Sequence, residues 1–221
     1  MISIALDGPA GAGKSSLAKS VAKELDFIYV DTGALYRTVG LYFIRRGIGT
    51  DLNCDIEKNL KNIRVDIKFV DNRQHVFLNC EDVSDEIRTP LASMMASAVS
   101  AKPPVRAFLL EMQRKLAREN NVIMDGRDIG TVVLPHATLK FFVTATAEER
   151  ANRRYKELIE KGEKVEWKDV YDDIVTRDYN DSHREIAPLK PAEDSIIFDT
   201  TELGLDQAVK KLTEMIKEEL K

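Results

Sequence analysis

An octapeptide near the N-terminus has the composition and spacing of a phosphate-binding loop. Residues 8–15 read Gly-Pro-Ala-Gly-Ala-Gly-Lys-Ser and match the pattern G-x-x-x-x-G-K-[S/T] at every fixed position. Glycines let backbone N–H groups turn towards phosphate oxygens, while the lysine reaches the β and γ oxygens and the serine binds Mg²⁺. The sequence therefore predicts a nucleoside triphosphate site formed by Gly8, Pro9, Ala10, Gly11, Ala12, Gly13, Lys14, Ser15 and Ser16.

Charged residues follow two other apolar runs of the chain. Arg37 lies a short distance along the chain beyond the run that ends at residue 30, where it could bind an anion. The run at residues 122–124 is followed by Asp125, in the position of the acid that holds the water shell of Mg²⁺, and by Arg127 and Asp128. Ligands of open α/β sheets bind beyond the carboxyl ends of the strands. Two guanidinium groups facing one phosphate loop predict an acceptor that is itself a phosphate.

A phosphate acceptor and an alcohol acceptor make different demands on the protein. The second pKa of a phosphate monoester is near ~6, so at neutral pH the group is already a nucleophilic dianion and needs no general base. The protein must then neutralise two polyanions with arginines and a metal ion. An alcohol would call instead for one carboxylate near its hydroxyl, and the arginine content favours phosphate.

Apolar runs and helical patterns alternate along most of the chain. The runs predict buried strands at residues 2–6, 27–30, 122–124, 139–143 and 195–198. Apolar residues at helical spacing predict helices over residues 14–25, 105–116 and 205–220. This alternation predicts an α/β protein with the three-layer P-loop fold and a central parallel sheet of five strands.

Two stretches depart from this alternation. Residues 63–70 alternate apolar and polar side chains, and after a turn at residues 71–73 a return strand is predicted at residues 75–78. We therefore predict an insert with a small antiparallel sheet at residues 52–104. Residues 148–191 are helical in pattern and rich in charges of both signs, including several arginines, and on charge alone this pattern favours a solvated helical pair. The remaining residues, 1–51, 105–147 and 192–221, are predicted to form the core.

Composition limits the classes of function. The chain of 221 residues carries 33 basic and 37 acidic residues, a net charge of −4, so we expect no nucleic-acid partner. An apolar run of the roughly 20 residues that span a bilayer is not found, and we expect neither a signal peptide nor a membrane association. The two cysteines do not form a metal-type pair, which favours reduced thiols and a cytoplasmic location.

Several kinds of P-loop protein remain to be distinguished. The Asn-Lys-x-Asp tetrapeptide of a GTPase is absent, and the chain is short for a motor or transporter ATPase. A small kinase is favoured, with a kinase for another phosphate or alcohol and a non-catalytic nucleotide sensor as alternatives.

Four segments, taken together and in this order, resemble those of the bacterial cytidylate kinases. They are residues 8–15, Asp-Thr-Gly-Ala-Leu-Tyr-Arg at 31–37, Asp-Gly-Arg-Asp-Ile-Gly-Thr-Val-Val at 125–133, and residues 177–189. The likeness extends over residues 2–203, and it implies that residues 148–191 form a helical lid. It implies a monomeric, Mg²⁺-dependent enzyme that transfers the γ-phosphoryl group of ATP to CMP or dCMP.

The resemblance also implies roles for individual residues. Arg37 and Arg127 would hold the acceptor phosphate and act in catalysis with Lys14 and Asp125. Arg177 and Asp181 would contact the ribose. The base would be surrounded by Ser97, Arg106, Asp128 and Arg184, and Thr32 and Tyr36 would also belong to the CMP site. Arg150, Arg153 and Arg154 would lie on the lid side near ATP, with Arg154 among the catalytic residues, and Ser15 would bind Mg²⁺ with Asp125 acting through water. Thr32 stands where relatives often have serine.

Cytosine offers an N4–H donor and ring acceptors. The Asp128 carboxylate or the Ser97 hydroxyl can accept the N4–H bond, and Arg106 or Arg184 can donate to the ring. Uracil would face a carboxylate with O4, so we expect UMP to be a poor acceptor.

Overall fold

A parallel sheet forms the centre of the part of the chain that the computed structural model describes, residues 1–70 and 73–221. Its five strands there lie in the order β2-β6-β1-β7-β8, with bounds β1 Ser3–Asp7, β2 Ile28–Asp31, β6 Val122–Asp125, β7 Leu139–Thr144 and β8 Ile196–Asp199. Each strand runs parallel to its neighbours. The predicted α/β fold is confirmed, and the carboxyl ends of the strands meet at one edge.

Alternating residues of β1 pack against helices on opposite faces of this sheet. Ile4 and Leu6 share a buried cluster with side chains of α1 (Lys14–Leu25) and α8 (Leu205–Glu219). Ala5 belongs to a second cluster with residues of α5 (Pro103–Glu119). These opposite contacts produce the three layers that the alternation of apolar runs predicted.

The part of the chain between the second and fifth helices forms a small antiparallel sheet. It contains β3 (Val65–Val70), β4 (Arg73–Leu78) and the two-residue β5 (Glu81–Asp82), in that order. The return strand thus begins at Arg73, before the predicted residue 75, so the last residue of the turn predicted at residues 71–73 lies in the strand. Residues 71–72 of that predicted turn lie outside the described residues. The helices of this region are α2 Thr32–Arg45, α3 Ile56–Leu60 and α4 Pro90–Ser100.

One amide side chain joins the small sheet to the large one. Gln74 of β4 accepts the Asp31 N–H through Oε1 at 2.8 Å and donates from Nε2 to the Asp31 carbonyl at 3.2 Å. Because Asp31 is the last residue of β2, Gln74 bonds the backbone there as a neighbouring strand would.

The predicted lid region forms two helices, α6 (Ala147–Glu160) and α7 (Trp167–His183). They pack together through a small separate cluster that includes Ala151 and Ile174. The division of the chain into core, insert and lid remains a prediction. Among the helices of residues 1–70 and 73–221, none combines the length and apolar character needed to cross a membrane.

Candidate active site

The glycine-rich loop connects β1 to α1 and has the backbone conformation of a phosphate-binding loop. Gly11 and Gly13 have φ values of 73° and 78°, in the left-handed region that favours glycine. Gly8, with φ at 146°, lies against β7, and a Cβ atom there would be 2.0 Å from the Val143 carbonyl oxygen. The loop therefore depends on glycine both for its turns and for its close contact with the sheet.

Replacing Gly8 by alanine is expected to destabilise the protein by about 3 kcal/mol, because backbone strain adds to the clash with Val143. This corresponds to a thermal midpoint about 6–12 °C lower. Gly47→Ala is a matched control, since Gly47 also has positive φ (70°) but a Cβ there would meet nothing within 4 Å. Equal midpoints for the two variants in thermal unfolding would contradict this account of the Gly8 contact.

Lys14 is buried and folds back over the loop. Its Nζ donates to the Pro9 carbonyl at 2.6 Å. Burial, followed by repulsion from the Arg127 guanidinium, lowers the pKa of Lys14 from 10.5 to about 7. The ammonium group is thus held where a polyphosphate would compensate its charge.

Ser15 and Asp125 bring the glycine loop into contact with the end of β6. The Ser15 hydroxyl donates to Asp125 Oδ2 at 2.6 Å, and the Tyr29 hydroxyl donates to Oδ1 at 3.2 Å. Burial, and then the negative charge of Asp31, raises the pKa of Asp125 from 3.8 to about 6. Within residues 1–70 and 73–221, the hydrogen-bond partners of this carboxylate are both hydroxyl groups, and such an oxygen-rich contact fits a Mg²⁺ ion.

The two predicted acceptor arginines are each paired with a carboxylate. Arg37 Nη2 lies 2.7 Å from Asp31 Oδ2, and Asp31 Oδ1 also accepts the Ala34 N–H at the start of α2. Arg127 Nε donates to Asp181 Oδ2 at 2.8 Å. Both guanidiniums are partly exposed, so they remain accessible to an anion while the carboxylates hold them in place.

Asp128 is the centre of a buried charged cluster. It accepts hydrogen bonds from Arg106 and, at 3.4 Å, from Arg184. The Arg106 guanidinium also lies 5.9 Å from the centroid of the Tyr36 ring. Burial raises the pKa of Asp128, although the guanidiniums oppose this shift, and burial lowers the pKa of Arg184. The structure therefore brings together three of the residues predicted to surround the base, with Tyr36, which was predicted to bind CMP, beside them.

A cavity of about 410 Å³ lies next to this cluster, between α4 and α7. The predicted residues Ser97, Arg177, Asp181 and Arg184 line it. Residues not predicted also contribute, among them Thr50, Met94, Thr176 and Asn180. Thr32 lies deeper, where its hydroxyl donates to the Asp125 carbonyl at 2.7 Å.

The three arginines of α6 have different surroundings. Arg150 is buried, and its Nη1 contacts the Ala10 carbonyl at 2.9 Å and Asp178 Oδ2 at 2.6 Å. Arg153 donates to the Thr200 carbonyl at 2.6 Å, and Arg154 pairs with Glu157 on its own helix at 2.8 Å. Arg150 therefore links α6 and α7 to the glycine loop, whereas the contact described for Arg154 is with its own helix.

Two carboxylates of the site were missed by the sequence reasoning. Asp7 is buried at the end of β1, and Asp31 at the end of β2 holds Arg37. Burial raises the pKa of Asp7 from 3.8 to about 6. Both residues directly follow predicted strands, as Asp125 does, so the rule that drew attention to Asp125 would also have found them.

Comparison with known proteins adds to this geometry. The family model for cytidylate kinase matches residues 4–218. A cytidylate kinase of Caldicellulosiruptor bescii is 50% identical over 97% of this chain and 95% of its own length. One of Carboxydothermus hydrogenoformans is 48% identical over 96% of each chain. The crystal structure of a Bacteroides thetaiotaomicron shikimate kinase is similar with a TM-score of 0.50, 14% identity and 98% coverage of each chain, a likeness of fold alone.

Proposed function

The chain belongs to the cytidylate kinase family, and from this premise we propose that it transfers the γ-phosphoryl group of ATP to CMP or dCMP. The observation that carries the proposal is the position of Asp125. Its carboxylate contacts Ser15 of the glycine loop, and the chain then continues directly into Arg127 and Asp128. This short segment would therefore join the proposed triphosphate site to the proposed acceptor site.

The reaction is a direct transfer between two phosphate groups. An oxygen of the CMP phosphate forms a bond to Pγ while the bond from Pγ to the β–γ bridging oxygen breaks, which yields CDP and ADP. Because the acceptor phosphate is a dianion, it is already nucleophilic. The main task of the protein is therefore to compensate the negative charge of the acceptor. Lys14 and the loop amides would neutralise the donor phosphates, and Arg37 and Arg127 the acceptor phosphate.

Mg²⁺ is proposed as the ion that accompanies ATP. Ser15 would bind it directly and Asp125 through water, which the oxygen-rich contact between these two side chains supports. Bound there, the ion would supply charge neutralisation at the phosphates.

The buried cluster around Asp128 supports a preference for cytosine. A carboxylate accepts from the N4–H group of cytosine but would repel O4 of uracil, while Arg106 and Arg184 can donate to ring acceptors. Ser97 at the cavity wall is a second candidate acceptor, and Arg177 and Asp181 are proposed to contact the ribose.

The arrangement of helices supports a division of labour. We propose residues 52–104 as the acceptor-binding insert and residues 148–191 as the lid, around a core of residues 1–51, 105–147 and 192–221. The cavity between α4 and α7 supports this, because each region contributes one wall. Arg150, Arg153 and Arg154 are proposed to act on the ATP side. We also propose that the protein is a monomer. We propose that it works in the cytoplasm, where the free thiols of Cys54 and Cys80 would stay reduced.

The test is a panel of nucleoside monophosphates assayed with ATP and Mg²⁺ by coupled ADP release. CMP and dCMP are expected to be good acceptors, with UMP lower in kcat/KM by about a hundredfold. Chelation of Mg²⁺ is expected to abolish turnover of every acceptor. Comparable kcat/KM values for UMP and CMP would contradict the proposed role of Asp128, and no turnover of CMP would contradict the function itself.

A further inference from the structure

The turn that follows β6 has an unusual backbone. After Arg127 and Asp128 the chain forms a π-helical turn, Ile129–Val133, in which Asp128 O accepts the Val133 N–H at 3.1 Å and Ile129 O accepts the Leu134 N–H at 2.7 Å. Such turns are rare in proteins, and those that occur are often found at functional sites. The N–H groups that begin a helical turn have no acceptor within it and need one elsewhere.

Asp7 supplies that acceptor. Its Oδ1 accepts the Ile129 N–H at 2.8 Å and its Oδ2 accepts the Gly130 N–H at 2.7 Å. The side chain is buried, with a residue exposure of 4%. Both bonds are charge-assisted when the carboxylate is ionised, so the end of β1 is fastened to the residues immediately after Asp128.

Arg114 of α5 fastens the other end of the turn. Its Nε donates to the Val133 carbonyl at 3.0 Å, and its Nη2 donates to the Val132 carbonyl at 3.0 Å. A carboxylate at the amino end and a guanidinium at the carboxyl end match the partial charges of the turn. The direction in which Asp128 leaves the backbone is therefore fixed from two neighbouring elements.

We propose that Asp7, supported by Arg114, is a positioning residue for acceptor recognition, holding the turn so that Arg127 and Asp128 face the acceptor. The inference rests on the proposed function. Asp7 acts through the turn, because both of its oxygens are occupied by turn N–H groups. Asp7 also lies near Lys14, and an effect through that lysine would change the KM for ATP rather than the recognition of the acceptor.

The experiment compares the kinetics of the whole protein with those of Asp7→Asn. We expect the KM for CMP to rise about tenfold, with a similar fall in the preference for CMP over UMP. The KM for ATP should stay within about twofold of its original value. Asp55→Asn is the control, because that carboxylate accepts a backbone N–H at the start of α3, in a different part of the chain.

A second variant tests the same turn from the other side. Arg114→Gln should raise the KM for CMP about threefold. Arg118→Gln, which removes a surface pair with Glu111, should leave the KM for CMP unchanged. The proposal would be overturned if both turn variants had a lower kcat but an unchanged KM for CMP and an unchanged preference for CMP over UMP. It would also be overturned if only the KM for ATP rose, or if neither variant folded. Absence of CMP turnover in the unaltered protein would contradict the proposed function instead.

Discussion

Replacing Lys14 by methionine is expected to reduce kcat by about 10³-fold or more and to remove a pH dependence of stability. The activity falls because a buried cation facing the β and γ phosphates is lost where charge develops. The measurement is steady-state turnover of CMP at saturating ATP, with circular dichroism to show that the variant is folded.

The stability effect follows from the position of the Lys14 amine. In the unfolded chain the pKa of this lysine is 10.5, and in the folded protein burial lowers it to about 7. Between these values the unfolded state binds more protons, so stability rises with pH, by about 1.4 kcal/mol per unit between pH ~7 and ~10. The thermal midpoint of the unaltered protein should gain about 3–6 °C per pH unit relative to the variant over this range.

ATP provides the control for this measurement. A bound polyphosphate favours the ammonium form, so with ATP the relative gain per pH unit should shrink. Parallel midpoints for the two proteins across this pH range, without nucleotide, would show that Lys14 carries its charge in the folded protein at no cost.

Replacing Asp128 by alanine is expected to lower the free energy of unfolding by about 3–5 kcal/mol, because two buried guanidiniums lose their shared carboxylate. The preference for CMP over UMP should fall by about a hundredfold in the same variant. Chemical denaturation measures the first effect, and kcat/KM for the two acceptors measures the second.

Two further variants separate these effects. Asp128→Ala combined with Arg106→Met should recover part of the stability, since an apolar replacement of a buried pair is tolerated, but none of the selectivity. Asp66→Ala removes an exposed pair with Arg64 and should cost less than about 1 kcal/mol. Recovery of the CMP preference in the double variant would show that cytosine is read elsewhere.

Local pattern was sufficient to predict the elements of the fold and the triphosphate loop. The glycine spacing predicted the loop, and the helix over residues 14–25 has the predicted bounds. These features depend on neighbours in the sequence, so their signals lie within a few residues. The predicted strand at residues 63–70 begins instead at Val65, because Ile63 closes the turn after α3 by bonding to Leu60.

The sequence reasoning missed the contacts that charged side chains make with residues far away in the sequence. Arg127 is separated from Asp181 by 54 positions, and Asp7 from Gly130 by 123, and nothing local announces either contact. The π-helical turn was hidden for another reason, since residues 129–133, Ile-Gly-Thr-Val-Val, have no period that distinguishes them from a short strand. Which carboxylate holds which cation is set by the strand order of the sheet.

The contact between Gln74 and Asp31 has a consequence for how the protein behaves at high concentration. β2 is the outermost strand on its side of the sheet, and an open outer strand can recruit a strand from another molecule. The amide of Gln74 occupies both hydrogen-bonding groups of the last residue of β2. Gln74 of β4 therefore blocks intermolecular strand pairing at the end of β2 nearest the candidate active site. A single side chain is enough to reduce the tendency of this outer strand to aggregate.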